Sequence, residues 1–238
     1  MNILALDSSG GVASLAVISN GRITGEYSID HKLTHSQTLM PMLEELKSRT
    51  EYELDKTDII AVASGPGSFT GLRIGAAAAK GMAFALGCRM MPVPTLEGLA
   101  YRFWGSSALI CPVMDARRGQ VYSGIYSFEK GAFKQLFKGE ALALDEQLDR
   151  LAETEGDVIF LGDGVDVHAD RLRAALGDRC MIAPAHLRYQ SAACVAQRAA
   201  DMLAEGMETI AAEDFAPDYL RRSQAERERE ERLARGDK

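Results

Sequence analysis

A chain of 238 residues, 47% hydrophobic and 26% charged, has the makeup of an ordinary globular protein, long enough for one large or two small domains with a core that needs no staples. Its 27 basic and 34 acidic side chains leave a net charge of −7, which argues against a stand-alone nucleic-acid binder, since such a protein needs a basic face to meet phosphates. Cys88, Cys111, Cys180 and Cys194 are far apart with no CxxC pair, which speaks against a tetrahedral zinc site. No apolar stretch reaches the roughly 20 residues of a membrane helix, and Asp7 interrupts the first apolar run, so a cytoplasmic protein with reduced thiols and no membrane contact is expected.

Residues 2–6 are a buried-strand candidate and Asp7-Ser-Ser-Gly-Gly11 a turn cluster. Residues 12–18 return as a strand, Asn20-Gly21 is a two-residue hairpin turn, and Arg22–Ile29 forms the third strand of an antiparallel meander. Thr34 and Gln37 have capping-box spacing and open a helix whose apolar stripe is Leu39, Met42, Leu43 and Leu46; Pro41 inside it predicts a kink or a restart. Ile59–Ala63 is a short strand, Gly65-Pro-Gly-Ser68 a tight loop, and Thr70–Leu86 a helix, followed by a strand near 90–93 and a helix from Thr95.

The pattern then repeats. Leu109–Met114 is an apolar strand ending in Asp115, and Gly119 follows Asp115 as Gly11 follows Asp7, four residues on. Val121–Phe128 is again extended. Two strand–Asp–turn–strand units about 110 residues apart predict a duplicated fold. A helix near 145–154, a strand at 157–161, the turn Gly162-Asp-Gly164 and helices near 166–176 and 191–205 complete the second copy, with Ser191 as N-cap. The expected division is a first lobe at 1–105, a second at 106–220, and a charged, solvated tail at 221–238 that carries seven Arg or Lys and five Asp or Glu.

Two lobes that each open this way resemble the actin/Hsp70/sugar-kinase superfamily: α/β, each lobe a mixed sheet with flanking helices. The resemblance narrows at Ser64-Gly-Pro-Gly-Ser-Phe-Thr-Gly-Leu-Arg-Ile-Gly75, a string similar to the signature of the TsaB family. Further pieces agree in order: Ile3-Leu-Ala-Leu-Asp-Ser-Ser9, His35-Ser-Gln37 with Leu39 and Pro41, Val93-Pro-Thr-Leu96, Asp115-Ala-Arg117 with Val121-Tyr122, and Pro217-Asp-Tyr-Leu-Arg221. They span nearly the whole chain. The resemblance implies a non-catalytic, required partner of the paralogue TsaD, which carries the metal and the chemistry. With the ATPase TsaE the pair forms N6-threonylcarbamoyladenosine beside the anticodon of tRNAs reading codons that begin with adenine.

Several motifs bear on that reading. A TsaD-like His-x-x-x-His helix start would grip a cation, yet the matching place is Thr95-Leu-Glu-Gly-Leu99, so no metal and no cofactor are expected. His31 and His35 also stand four apart but flank the predicted helix start. Gly65 and Gly67 lack dinucleotide or P-loop spacing and read as a tight strand-to-helix turn. Gly71, Gly75 and Ala79 form a small-residue stripe that lets another helix approach. The resemblance makes the Thr34–Leu46 helix and this one the docking surface for TsaD, or for a second copy when TsaD is absent. The expected interface is His35, Leu39, Met42, Leu43, Leu46, Phe69, Thr70, Arg73, Ile74, Gly75, Ala78 and Met82, and Gly75→Arg should block docking while the lobe stays folded. Asp7, Ser8, Ser9, Asp115, Gly162 and Gly164 stand where superfamily kinases handle nucleotide, and read as a vestigial site, weakly binding at most. No Ser–His–Asp arrangement can be nominated. The rival reading is an ATP-dependent phosphotransferase or metallohydrolase of the same superfamily. tRNA is expected to be met only through the partner.

Overall fold

The structure, a computed structural model, describes residues 1–31 and 34–220. The expected charged tail therefore lies outside the described residues.

The first sheet contains β1 (Asn2–Asp7), β2 (Val12–Ser19), β3 (Arg22–Asp30), β4 (Ile59–Gly65) and β5 (Arg89–Pro94), in the order β3-β2-β1-β4-β5. The first three strands form the expected antiparallel meander, while β4 runs parallel to β1 and β5 parallel to β4. Asn20 and Gly21 both have positive φ (51° and 78°), the twist that a two-residue hairpin needs. Side chains alternate along each strand, and both faces of the sheet are covered, which is why its central strands read as continuous apolar runs. Leu4, Leu6, Leu15, Ile60 and Val62 face α1 (His35–Thr50) and α2 (Phe69–Leu86). Ile3, Ala5, Ala16, Ala61 and Val93 face the opposite way. The Thr34 N–H donates to Gln37 Oε1 at 3.3 Å, closing the cap of α1. The helix runs unbroken through the exposed Pro41, so the expected restart does not occur.

The second sheet repeats the first. Its strands are β6 (Leu109–Asp115), β7 (Gln120–Glu129), β8 (Ala132–Ala143), β9 (Val158–Leu161) and β10 (Cys180–Ile182), ordered β10-β9-β6-β7-β8. β6 takes the central place of β1, between an antiparallel neighbour and a parallel one. One face packs beneath α4 (Leu144–Ala152) and α5 (Gly164–Leu176), and the other meets α3 (Thr95–Ala100). The short α6 (Ala185–Arg188) leads to α7 (Ala192–Ala204). The fold is the expected two-lobed α/β arrangement of mixed sheets with flanking helices.

The short β10 and α6 were not expected, and two larger elements depart from the sequence reading. β8 was not expected; it follows the Lys130-Gly131 turn, where both residues have positive φ, and as an edge strand it is largely solvated and carries a weak apolar signal. α7, assigned with the second lobe, lies on the first sheet. Its Ala192, Val195, Ala196 and Ala199 pack on Ala5, Ala16 and Ala61. Small side chains on both surfaces allow helix and sheet to come close, and the Ala192 N–H donates to Ser14 Oγ at 2.8 Å. The chain beyond α7 stays there, with Ile210 bridged to Met90.

Candidate functional site

Two regions hold the residues singled out by sequence. The first is the turn after β1. Asp7 ends β1 as Asp115 ends β6, so the two carboxylates occupy equivalent places in the two sheets. They differ in surroundings. Asp7 is buried, and its Oδ1 accepts from the Ser9 N–H at 2.9 Å and Ser9 Oγ at 2.6 Å. Burial outweighs those bonds and pushes the carboxyl up to about 6. Asp115 is exposed; its Oδ1 accepts from the Arg117 N–H at 2.7 Å, and its own N–H donates to Asp163 Oδ1 at 3.2 Å. Burial likewise raises the Asp163 carboxyl.

Ser8 and its neighbours bind the chain's own backbone. Ser8 Oγ donates to the Gly71 carbonyl at 2.8 Å, and the Ser68 N–H donates to the Ser9 carbonyl at 2.7 Å. His35 Nε2 donates to the Gly10 carbonyl at 2.9 Å. Gln190, 1% exposed, lies directly over Gly10, where a Cβ would overlap its amide, and neither polar atom of that amide has a hydrogen-bond partner among the described residues. A phosphate over Gly10 would have to displace Gln190. Gly162 and Gly164 are similarly accounted for by packing, because a Cβ at either would press on the Val113 carbonyl.

A carboxyl that stays neutral more readily in the folded chain than in the unfolded one favours folding at low pH. As pH rises from the ordinary value of 3.8 through about 6, the unfolded chain ionises first and Asp7 withdraws that contribution. Asp7→Asn is therefore expected to stabilise the protein at pH 8 by on the order of 1–2 kcal/mol and to change little at pH 4. Urea denaturation at the two pH values measures the difference, and an equal effect at both would refute it.

The second region is the helical pair. Of the predicted interface, Leu39, Met42, Leu43 and Leu46 are buried in the core beneath α1, so they are not a docking surface. Gly75 is buried too, and a Cβ there would overlap Ser8 Oγ, so Gly75→Arg would disrupt the fold rather than test docking. The reason is geometric: Gly71, Gly75 and Ala79 form the inward stripe of α2, which lets the helix sit against the turn after β1. His35 is half-buried and tied to Gly10. Thr70 and Arg73 are exposed, and Phe69, Ile74, Ala78 and Met82 are half-buried. Arg73 stacks on the Phe69 ring, 4.0 Å from its centroid, and its Nε donates to Tyr219 Oη at 3.3 Å. Thr95 and Leu99 are both buried, and the Thr95 hydroxyl accepts from the Gly65 N–H at 3.2 Å.

The outward face of α2 was missed. Ala77, Gly81 and Ala85 repeat every four residues on it, and Phe84 beside them is 84% exposed. Among the described residues, nothing lies within 4 Å of a Cβ placed on Gly81. Met40 of α1 is 40% exposed. The signal was present in the sequence as a second small-residue stripe, offset from the first.

The family model TsaD, tRNA N6-adenosine threonylcarbamoyltransferase, matches residues 30–229. The tRNA threonylcarbamoyladenosine biosynthesis protein TsaB of Bacillus subtilis (strain 168) is 34% identical over 228 residues, covering 95% of this chain and 96% of that protein. The protein of the same name from Escherichia coli (strain K12) is 29% identical over 231 residues, covering 94% and 96%. The structure of YeaZ from Pseudomonas aeruginosa superposes with a TM-score of 0.77 at 28% identity, covering 92% of this chain and 99% of that one. The chain belongs to the TsaB family, within the wider group that the TsaD family model describes.

Proposed function

We propose that this chain works in tRNA threonylcarbamoyladenosine biosynthesis as a required, non-catalytic partner of a TsaD subunit, docking through the outward face of α2 with the exposed edge of α1. Family membership supports the pathway. The observation that carries the docking surface is the Ala77–Gly81–Ala85 stripe beside Phe84: small residues admit a second helix closely, and a nearly bare phenylalanine supplies apolar area to bury. Thr95 and Leu99, where a TsaD-type helix would carry its two histidines, are unsuited to a metal and support a subunit without its own chemistry. TsaE joins the larger assembly, the same face forms a homodimer when TsaD is absent, and tRNA is met through the partner, in keeping with a net charge of −7. The setting is the cytoplasm; among the described residues no helix is long and apolar enough to cross a membrane.

The test is co-purification with TsaD, followed by tRNA modification with and without this chain. Phe84→Asp is expected to weaken capture roughly tenfold with the fold intact, since the side chain meets solvent in the free protein. Undiminished capture would place the interface elsewhere. The alternative, a phosphotransferase using Asp7 and Asp115, predicts tight Mg-ATP binding and hydrolysis by the chain alone. Gln190 over Gly10 weighs against it.

A further inference from the structure

A hollow of about 690 Å³ opens between the two lobes, on the opposite face of the first sheet from α2. Its aromatic wall is Tyr101, Trp104 and Phe133, and its polar wall is Gln197, Asp201 and Glu205 from the end of α7. The wall already holds one guanidinium. Arg198 lies 4.7 Å from the Phe133 ring centroid, its Nε donates to Glu97 Oε2 at 2.7 Å, and its Nη1 donates to the Glu205 carboxylate at 3.0 and 3.1 Å. Two carboxylates, Glu97 and Glu205, thus share one cation. Asp201 accepts only from neutral donors, the Tyr101 hydroxyl at 3.0 Å and Gln197 Nε2 at 2.8 Å, with no cationic partner among the described residues. Trp104, 60% exposed, lines the same hollow.

We propose that this hollow binds an arginine side chain presented by a basic segment of another polypeptide. A carboxylate without a cationic partner and a largely exposed indole in one hollow suit a planar cation, which can stack on an aromatic ring while its fork meets a carboxylate. Arg198 on Phe133 shows the same wall holding that group in that manner. A nucleic acid also stacks on tryptophan, but here its phosphates would approach Asp201 and Glu205. A metal ion is poorly served, because Glu205 is committed to Arg198 and Asp201 to Tyr101 and Gln197. The site does not depend on the partnership proposed above, and its position leaves α2 free for simultaneous docking.

Trp104 is the chain's one tryptophan, so its emission reports this hollow directly. The full chain is titrated with the peptide acetyl-Gly-Arg-Arg-Gly-amide, with its citrulline counterpart, and with oligouridylate. The arginine peptide is expected to give a saturable change in emission that weakens with salt, and citrulline to bind roughly tenfold less tightly. Gln197→Lys, an exposed change that places a cation beside Asp201, should lower affinity roughly tenfold while circular dichroism and the thermal midpoint stay unchanged. Asp201→Asn should do the same. No saturable response to the arginine peptide, an equal response to citrulline or oligouridylate, or full affinity in Gln197→Lys would each overturn the proposal.

Discussion

Gly71→Ala is expected to lower the thermal midpoint, while Gly81→Ala, ten residues further along the same helix, raises it. Both changes replace glycine by the best helix former, a gain of under about 1 kcal/mol at either site. Space decides the sign. At Gly71 a Cβ would lie well inside contact distance of the Ser8 carbonyl oxygen and 3.3 Å from His35 Cδ2 and Ser68 Cβ. The carbonyl belongs to the backbone of the turn after β1, which cannot swing aside as a side chain would. Relief requires α2 to move off the sheet, stretching the 2.8 Å bond from Ser8 Oγ to the Gly71 carbonyl. Overpacking of this kind costs about 3 kcal/mol or more, so the net loss is about 2–3 kcal/mol, or roughly 5–10 °C for a chain of this length. Gly81 is exposed, with no atom of the described residues within 4 Å of a Cβ there, and the helix preference is realised without opposition. Differential scanning calorimetry of the two variants measures both, and equal signs would show that α2 does not seat against Ser8 as described.

The same pair explains what could and could not be read from the sequence. Alternation along residues 2–30 and the Asn20-Gly21 turn specify the meander locally, and the Thr34–Gln37 spacing marks the start of α1. Periodicity locates the stripes of α1 and α2 but does not say which one faces in. On α2, Gly71–Gly75–Ala79 and Ala77–Gly81–Ala85 are both small, and only the position of the Ser8–Ser9 backbone tells them apart. On α1 the apolar stripe Leu39–Leu46 is what a core needs, and assigning it to a partner spent residues that the first sheet already required. The allegiance of α7 was equally hidden, because the Ser14 hydroxyl that caps it is 178 residues away in sequence. The pairing of Asp7 with Asp115 was legible as a repeat, whereas the Gln190 amide over Gly10 depends on the seating of the start of α7 on the first sheet.

The Glu97–Arg198 pair also joins residues distant in sequence, 101 positions apart, and its loss should cost more than any surface change. Glu97 and Arg198 side chains are 11% and 7% exposed. Burial raises the Glu97 carboxyl above its ordinary value, with Arg198 opposing that rise. Arg198→Met keeps most of the side-chain volume but leaves the Glu97 carboxyl buried without its partner cation, and removes the stacking on Phe133. The expected loss is about 3–5 kcal/mol. The other carboxylate, Glu205, is exposed and returns to water at little cost. Without Arg198 the Glu97 carboxyl is pushed further up, so the folded chain takes a proton more readily than the unfolded one. The deficit should then shrink on acidification from pH 8 to pH 5, as the stranded carboxyl takes up its proton. Adding Glu97→Gln to Arg198→Met removes the stranded charge and should recover most of the stability, since replacing both members of a buried pair is often nearly neutral. Urea denaturation of the single and double variants at both pH values separates the effects. If the double variant is no more stable than Arg198→Met alone, the loss comes from packing against Phe133 and Tyr101 rather than from a carboxylate left without its partner.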